Sequence, residues 1–230
     1  MARVLIISDI HIDDDPEDRL SWLVSLIKRY KPVAVLSLGD FGSDFDYTTV
    51  ESEILHRCKF YAIYGNHDNL VWLSSARNLD GESVLLEDGE IREWGGHRLG
   101  FINGIIALRK RSKKGVPRKK PWEFMATARK LAGRIDVLAM HEFPAPDELL
   151  DQSFDLHAPA LTAREAVIQA RPDIVICGHI HYRMIEPGLL HIGDIKLVVI
   201  DSSVGGYALL GSNSVELRIH EDIIFRLNLK

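Results

Sequence analysis

Five short segments of the chain contain the side chains best suited to metal chemistry. They combine carboxylates, one amide and several imidazoles, and none contains a cysteine, so a metal bound here would have oxygen and nitrogen ligands. Mixed ligation of this kind suits intermediate divalent metals such as Mn, Fe, Ni, Co or Zn rather than calcium or a thiolate zinc site. The segments are Asp9-Ile10-His11, Gly39-Asp40, Gly65-Asn66-His67-Asp68, Met140-His141 and Gly178-His179-Ile180-His181.

The spacing within these segments favours convergence of their side chains. In an extended chain, residues i and i+2 project to the same side, so Asp9 and His11 can reach a common region. The same spacing separates the two histidines of the segment that begins after Gly178. A glycine directly before Asp40 and before Asn66 permits a sharp turn and a close approach of the backbone to an ion.

Each segment follows an apolar run that predicts a buried β-strand. These runs cover residues 4–7, 33–38, 60–64, 135–140 and 174–177. Helical patterns lie between them: one begins at the cap residue Asp15, and another is expected over 162–170 with Thr162 and Glu165 as a capping box. Alternating strands and helices predict parallel pairing, whereas glycine-containing turns around 88–96 and in the C-terminal stretch predict antiparallel strands. We therefore expect an α/β fold of two mixed sheets, with the ligand segments at the carboxyl ends of strands.

The five segments, in this order and each after a predicted strand, resemble the five signature motifs of the calcineurin-like metallophosphoesterases. The match extends from Asp9 to His181, and the strand-rich remainder up to Lys230 suits the same architecture. The resemblance implies a four-layer αββα sandwich of two mixed sheets flanked by helices. It also implies two metal ions at the edge of the paired sheets.

The resemblance further implies a role for each candidate residue. Asp40 would bridge the two ions. His67 would protonate the leaving group or contact the phosphoryl oxygens, and Asp68 would orient the His67 ring. The ligands of the first metal would be Asp9, His11 and His181, and those of the second Asn66, His141 and His179.

Three segments depart from the family pattern without removing a predicted ligand. Ser43, followed by Asp44, stands where the second motif often has an acid or an arginine. Because of these departures, the resemblance does not specify the substrate. The other two are Glu142-Phe143-Pro144, in place of a tight proline pair, and Asp201-Ser202-Ser203-Val204-Gly205, in place of an Asn-Pro-Gly-Ser-like turn.

Elementary chemistry leads to the same activity. Two divalent ions about 3.5–4 Å apart can share a water molecule and lower its pKa towards neutrality, and the resulting metal-bound hydroxide can attack phosphorus in line. No protein nucleophile is then required. His67 directly follows a predicted ligand, a position that suits a general acid. We expect hydrolysis of a small phosphoester by a phosphodiesterase or phosphatase, with Mn²⁺ as the preferred metal.

Composition restricts the class of protein. The 230 residues are 46% hydrophobic, enough for the core of one domain over residues 1–230. No apolar run approaches the ~20 residues of a membrane span, and the N-terminal stretch lacks the pattern of a secretory signal. Cys58 and Cys177 provide no disulfide framework, so we expect a cytoplasmic protein without membrane association.

A basic loop, residues 109–120, contains eight lysines and arginines and no acidic residue, although the net charge of the chain is −5. Such a run is more often a solvated surface loop than a binding site, but it could bind nucleic acid. A DNA nuclease of the same superfamily is therefore an alternative, although 230 residues leave little space for the additional regions that repair nucleases usually have. A non-catalytic scaffold is a further alternative, disfavoured because the chain retains all seven ligands and His67.

Overall fold

The structure, a computed structural model, describes residues 3–109, 115–150, 158–181 and 185–229. None of the helices in these ranges combines the length and the apolar character that crossing a membrane requires. The strands are β1 (Val4–Ile7), β2 (Ala34–Ser37), β3 (Lys59–Ala62), β4 (Ile91–Trp94), β5 (His97–Ile102), β6 (Val137–Met140), β7 (Ile174–Cys177), β8 (Gly188–Ile192), β9 (Ile195–Val199), β10 (Gly206–Leu210), β11 (Ser214–Ile219) and β12 (Asp222–Asn228). The α-helices are α1 (Pro16–Tyr30), α2 (Thr48–Val50), α3 (Leu70–Ser75), α4 (Pro121–Leu131), α5 (Asp147–Leu150) and α6 (Ala158–Ala170).

The strands form two mixed sheets of six strands each. In the first, the order is β12-β11-β10-β1-β2-β3, with parallel pairing among β1, β2 and β3 and antiparallel pairing elsewhere. In the second, the order is β4-β5-β6-β7-β9-β8, with parallel pairing from β5 to β9 and antiparallel pairing at both margins. Every residue of β1, β2, β6 and β7 is buried, as expected of parallel strands covered on both faces.

Three hydrophobic cores define four layers. Val4 and Ile6 of β1 point into a core between the two sheets, and Leu5 and Ile7 point into a second core that is shared with α1. A third core packs α4 and α6 against the outer face of the second sheet. The alternation along β1 shows that successive side chains serve different layers. The predicted four-layer αββα sandwich of two mixed sheets is therefore confirmed.

Local sequence signals were accurate at the start of α1 and inaccurate at the start of α6. The Asp15 carboxylate accepts a hydrogen bond from the Asp18 amide at 3.3 Å, as an N-cap should. The predicted capping box at Thr162 is wrong, because α6 already includes Ala158 and Thr162 therefore lies inside the helix. Pro159 is compatible with the first turn of a helix, and the alanine and leucine after it are strong helix formers.

The described part of the basic loop is packed against the protein at Lys119. The Lys119 backbone pairs with the segment after β5, through hydrogen bonds between Ala107 N and Lys119 O at 2.8 Å and between Lys119 N and Ile105 O at 2.9 Å. The buried Lys119 ammonium donates to the Asn103 carbonyl at 2.6 Å and pairs with the Asp88 carboxylate. The expectation of a solvated loop is therefore wrong at this position, and residues 110–114 lie outside the described residues.

We predict that Lys119→Ala lowers the free energy of unfolding by about 1–3 kcal/mol, because it leaves a buried carbonyl and a partly buried carboxylate without their donor. The matched control is Arg109→Ala, an exposed position in the same loop, which should change the stability by less than about 0.5 kcal/mol. Denaturant unfolding of both chelator-treated variants provides the measurement. Equal stability of the two variants would show that Lys119 has no anchoring role.

Candidate metal centre

The loops that contain the predicted ligands meet at one edge of the two sheets. Backbone hydrogen bonds join the loops after β1 and β2, from Asp9 N to Gly39 O and from His11 N to Asp40 O, both at 3.0 Å. The loop after β7 joins them because the His179 amide donates to Asp9 Oδ2 at 2.8 Å. Carboxyl ends of parallel strands thus place acidic and imidazole side chains from both sheets close together.

Asp9, His11 and His181 form the first of two groups with the composition of a metal site. One ligand atom of each lies within 4.8 Å of the others. Asp9 is fully buried, and its Oδ2 accepts hydrogen bonds from the Ser8 hydroxyl at 2.6 Å and from the His179 amide. Its Oδ1 has no partner. One carboxylate oxygen is therefore fixed by the protein, and the other is free to bind an ion.

Asp40, His141 and His179 form the second group, with ligand atoms again within 4.8 Å of one another. The buried His141 ring has its Nδ1 2.9 Å from the Leu38 carbonyl oxygen. A carbonyl only accepts, so Nδ1 carries the proton and donates it. Nε2 has no hydrogen-bond partner and can act as a metal ligand. A backbone contact of this kind sets the tautomer of a metal-binding histidine.

The Asp40 carboxylate lies between the two groups. Its Oδ2 is 3.9 Å from His11 Nε2 in the first group, and its Oδ1 is 3.4 Å from His141 Nε2 in the second. Oδ1 also accepts hydrogen bonds from the amides of Asn66 at 2.6 Å and His67 at 2.7 Å. One oxygen towards each group is the arrangement that a bridging ligand requires.

Orphaned polar atoms test whether these residues fit metal ions. An atom that is buried without a partner costs about 1–3 kcal/mol, so such atoms are rare in native proteins. Two divalent ions would give a partner to each of the orphaned atoms among the predicted ligands. The mixture of carboxylate, amide and imidazole donors also suits intermediate divalent metals. The residues therefore fit two such ions. The orphaned atoms among the predicted ligands are Asp9 Oδ1, His11 Nε2, Asn66 Oδ1 and His141 Nε2.

Four of the candidate ligands have a left-handed backbone. The φ angles are 56° at Asp9, 46° at His11, 52° at Asp40 and 67° at His179. A residue with a side chain adopts this region at a cost of about 1–3 kcal/mol and keeps it only where the surroundings enforce it. The hydrogen bonds between the loops provide that enforcement. Such strain is concentrated at functional sites, which supports a functional role for this edge.

Two glycines provide the space that the ligands need. A Cβ at Gly65 would lie 2.3 Å from Asp40 Oδ1. A Cβ at Gly178 would lie 1.9 Å from Ser8 Oγ and 2.1 Å from Asp9 Oδ2. No side chain could be accommodated at either position without moving a candidate ligand. At both positions glycine lets the backbone pass close to a candidate ligand.

His67 lies beside the first group without belonging to it. Its ring is half-buried, and the centroid is 5.5 Å from that of the His11 ring in an edge-on arrangement. Its amide is held by Asp40. The ring is therefore next to the first group, and it belongs to neither of the two ligand groups.

The predicted contact between Asp68 and the His67 ring is absent from the hydrogen bonds of the described residues. The buried Asp68 carboxylate instead accepts hydrogen bonds from the amides of Asp40 at 2.8 Å, Phe41 at 2.9 Å and Gly65 at 2.7 Å. A buried carboxylate needs several donors, and the backbone of two neighbouring loops supplies them. Asp68 therefore braces the loops after β2 and β3 and does not orient the imidazole.

Two further buried carboxylates lie against the imidazole rings and were not assigned from the sequence. Asp201 Oδ2 is 3.8 Å from His181 Nδ1. Glu142 Oε1 is 4.0 Å from His179 Nε2, while its Oε2 accepts a hydrogen bond from the Ile106 amide at 2.6 Å. A carboxylate beside an imidazole ligand can orient its ring. The available signal was an acid in each of two segments that depart from the family pattern.

Burial and charge perturb the pKa values in this region strongly. Burial alone lowers the pKa of His141, but the carboxylates of Asp40 and Asp9 outweigh it and raise that pKa to about 10. Burial is the main cause that lowers the pKa of His179 to about 3. Burial also raises the pKa of Asp9 to about 6 and that of Asp68 to about 7. Protons and metal ions therefore compete for the same groups.

Comparison with known families identifies the chain. The family model described as calcineurin-like phosphoesterase matches residues 2–183, which include all five ligand segments. The chain belongs to the calcineurin-like phosphoesterase family. This membership agrees with the fold and with the two candidate metal-binding groups. A search among curated proteins finds no match to the chain.

Solved structures show the same fold at low sequence identity. TT1561 of Thermus thermophilus is 16% identical with a TM-score of 0.70, over 96% of this chain and 99% of that protein. An archaeal phosphodiesterase is 14% identical with a TM-score of 0.53, over 94% of this chain and 99% of that one. A dimetal phosphatase from Danio rerio is 11% identical with a TM-score of 0.54, over 99% and 98%. At these identities the similarity concerns the fold alone.

We predict that Gly178→Ala reduces the metal content of the protein, because the added methyl group would overlap the Ser8 hydroxyl and displace the Asp9 carboxylate. Gly188→Ala is the matched control, since a Cβ there would meet nothing closer than 3.6 Å. Metal analysis after desalting, together with circular dichroism of both variants, measures the effect. If Gly178→Ala folds and retains the metal content of the control, Asp9 is not a ligand.

We also predict that metal binding releases protons and becomes tighter as the pH rises from 7 to about 9. The sign follows from His141, whose raised pKa of about 10 keeps the metal-free ring protonated in this range, whereas a metal ligand must be neutral. Calorimetric titration of Mn²⁺ in two buffers with different ionisation enthalpies measures the protons released. An affinity independent of pH over this range would contradict the assignment.

Proposed function

We propose that the protein hydrolyses a small phosphoester, as a phosphodiesterase or a phosphatase, with two divalent metal ions. The main support is the position of the Asp40 carboxylate, which directs one oxygen towards each of the two candidate ligand groups. Each of these groups also contains a buried ligand atom that has no hydrogen-bond partner. Membership of the calcineurin-like phosphoesterase family supports the same chemistry. The first ion would be held by Asp9, His11 and His181, the second by Asn66, His141 and His179, and both by Asp40.

The chain's own residues have distinct tasks in this proposal. When bound, the two ions supply Lewis acidity that neutralises phosphoryl charge and lowers the pKa of a water molecule. Asp68 holds the loops after β2 and β3 in position, and the Leu38 carbonyl keeps the His141 ring in the ligand tautomer. His67, next to the first group, is the residue proposed to deliver a proton to the leaving-group oxygen.

An enzyme is favoured over a non-catalytic scaffold by the state of the predicted ligands. All seven are present, and four have buried, partnerless atoms that a metal ion would satisfy. Mn²⁺ is the proposed metal because intermediate divalent ions suit the donor set. We propose a cytoplasmic location because both cysteines, Cys58 and Cys177, are free thiols.

With Mn²⁺ added, we expect the wild-type protein to cleave a chromogenic phosphodiester or phosphomonoester, and Asp40→Ala to lose both the activity and the metal. The reason is that one carboxylate serves both groups. The assay panel should include cyclic nucleotides and single-stranded DNA, so that the nuclease alternative is tested alongside. An Asp40→Ala variant with normal turnover and normal metal content would exclude the bridging role.

For His67→Asn, we expect kcat to fall by ~10²–10⁴, the usual contribution of a positioned acid. Metal content should remain near that of the wild type, because the ring is outside both ligand groups. The loss should be smaller for a substrate that releases nitrophenolate than for one that releases an alkoxide, since a good leaving group needs little protonation. The measurements are kcat for both substrates, metal content and melting temperature.

The other roles of His67 give different results in the same experiment. A structural role predicts lower melting temperature and equal losses for both substrates. A ligand role predicts loss of metal. Equal losses with intact metal and stability would replace the general-acid role by stabilisation of the phosphoryl oxygens.

A further inference from the structure

The backbone next to Arg118 is anchored to the protein through Lys119, its neighbour in the chain. Lys119 forms backbone hydrogen bonds with the segment after β5, and its side chain is anchored by Asp88 and the Asn103 carbonyl. Ile106, which pairs with Lys119, donates its amide to Glu142 Oε2 at 2.6 Å. The backbone at Arg118 is thereby connected to the carboxylate that lies against the second metal group.

The Arg118 guanidinium has an unsatisfied donor. Its Nε is buried and has no hydrogen-bond partner, and no carboxylate among the described residues forms an ion pair with it. Arg19, also at this edge, is different, because its guanidinium donates to the carbonyls of Ile10 and His11 and pairs with Asp14. A buried guanidinium donor without an acceptor is costly, and an anionic ligand would satisfy it.

The charge of Arg118 influences the pKa values of Glu142 and His179, on one side of the metal centre. Burial raises the pKa of Glu142 to about 7, and the Arg118 charge is among the influences that oppose this rise. Burial lowers the pKa of His179 to about 3, and the Arg118 charge contributes to that decrease. The Arg118 charge thus influences both Glu142 and His179, and these two residues are themselves neighbours, with Glu142 Oε1 4.0 Å from His179 Nε2.

We propose that Arg118 binds the phosphoryl oxygens of the substrate on the His179 side of the metal centre. The inference rests on the proposed function and adds a substrate-binding residue outside the five ligand segments. A planar guanidinium with several N–H donors matches the oxygens of a phosphate, and an arginine next to an anchored backbone segment loses less conformational entropy on binding than one in a free loop. The basic loop then contributes one specific cation to the centre and not only a diffuse positive charge.

The test compares Arg118→Gln and Arg118→Lys with Arg109→Gln, a matched control because Arg109 is exposed in the same loop. With Mn²⁺-loaded protein, the measurements are the Kd of inorganic phosphate, KM and kcat for a chromogenic phosphodiester, and metal content. Arg118→Gln should weaken phosphate binding and lower kcat/KM by about 10- to 100-fold, the range for a hydrogen bond to a charged group. Arg118→Lys should show a smaller loss, because lysine keeps the positive charge but lacks the planar set of N–H donors that can bind two phosphate oxygens at once.

Metal content should be unchanged in all three variants, and Arg109→Gln should stay within about two-fold of the wild type. Wild-type phosphate affinity in Arg118→Gln would overturn the inference while leaving the proposed function intact. Equal effects of Arg118→Gln and Arg109→Gln would show that only the overall charge of the loop matters, and this result would also overturn the inference. So would loss of metal in Arg118→Gln.

The same experiment separates the inference from the proposed function. If the wild-type protein binds phosphate through Arg118 but hydrolyses none of the substrates in the panel, the proposed activity fails and the binding role of Arg118 stands. If the Mn²⁺-loaded wild-type protein does not bind phosphate but hydrolyses a substrate of the panel, the inference is overturned and the proposed function stands.

Discussion

The buried carboxylate of Asp40 is the interaction on which the rest of the site depends. Removing a charge from water is costly unless hydrogen bonds or ions compensate, and here the amides of Asn66 and His67 satisfy one oxygen. The same carboxylate lies next to His11 and His141, one from each sheet. Its position therefore determines the conformation of the loop after β3 and the spacing of the two ligand groups.

The surrounding loops hold the ligands near Asp40 in the backbone conformations that the site requires. Ligands with left-handed backbone angles are kept in place by hydrogen bonds between loops, and glycines such as Gly65 and Gly178 leave the required space. Asp68 connects the loops after β2 and β3 through three amides. The buried parallel strands hold the loop ends at fixed separations. The protein itself therefore brings the ligands together. The buried ligand atoms that lack a hydrogen-bond partner are the ones that metal ions would satisfy.

Much of this arrangement could be predicted from the sequence because its signals are local. Apolar runs indicated the strands, and the i, i+2 spacing with preceding glycines indicated the converging side chains. The contacts that escaped prediction join residues far apart in the chain, such as Glu142 with Ile106 and Lys119 with Asp88. Asp68 shows the same limit, since its acceptor role depends on backbone amides presented by another loop. Local pattern gives no information about such partners.

Each candidate ligand group draws residues from both sheets. Asp9 and His11 follow a strand of the first sheet, whereas His181 follows a strand of the second, and the second group is divided in the same way. A metal ion in either group would therefore be coordinated by residues of both sheets and would link the two sheets at this edge. Sliding of one sheet over the other would break coordination bonds, so bound ions would also resist relative movement of the two sheets.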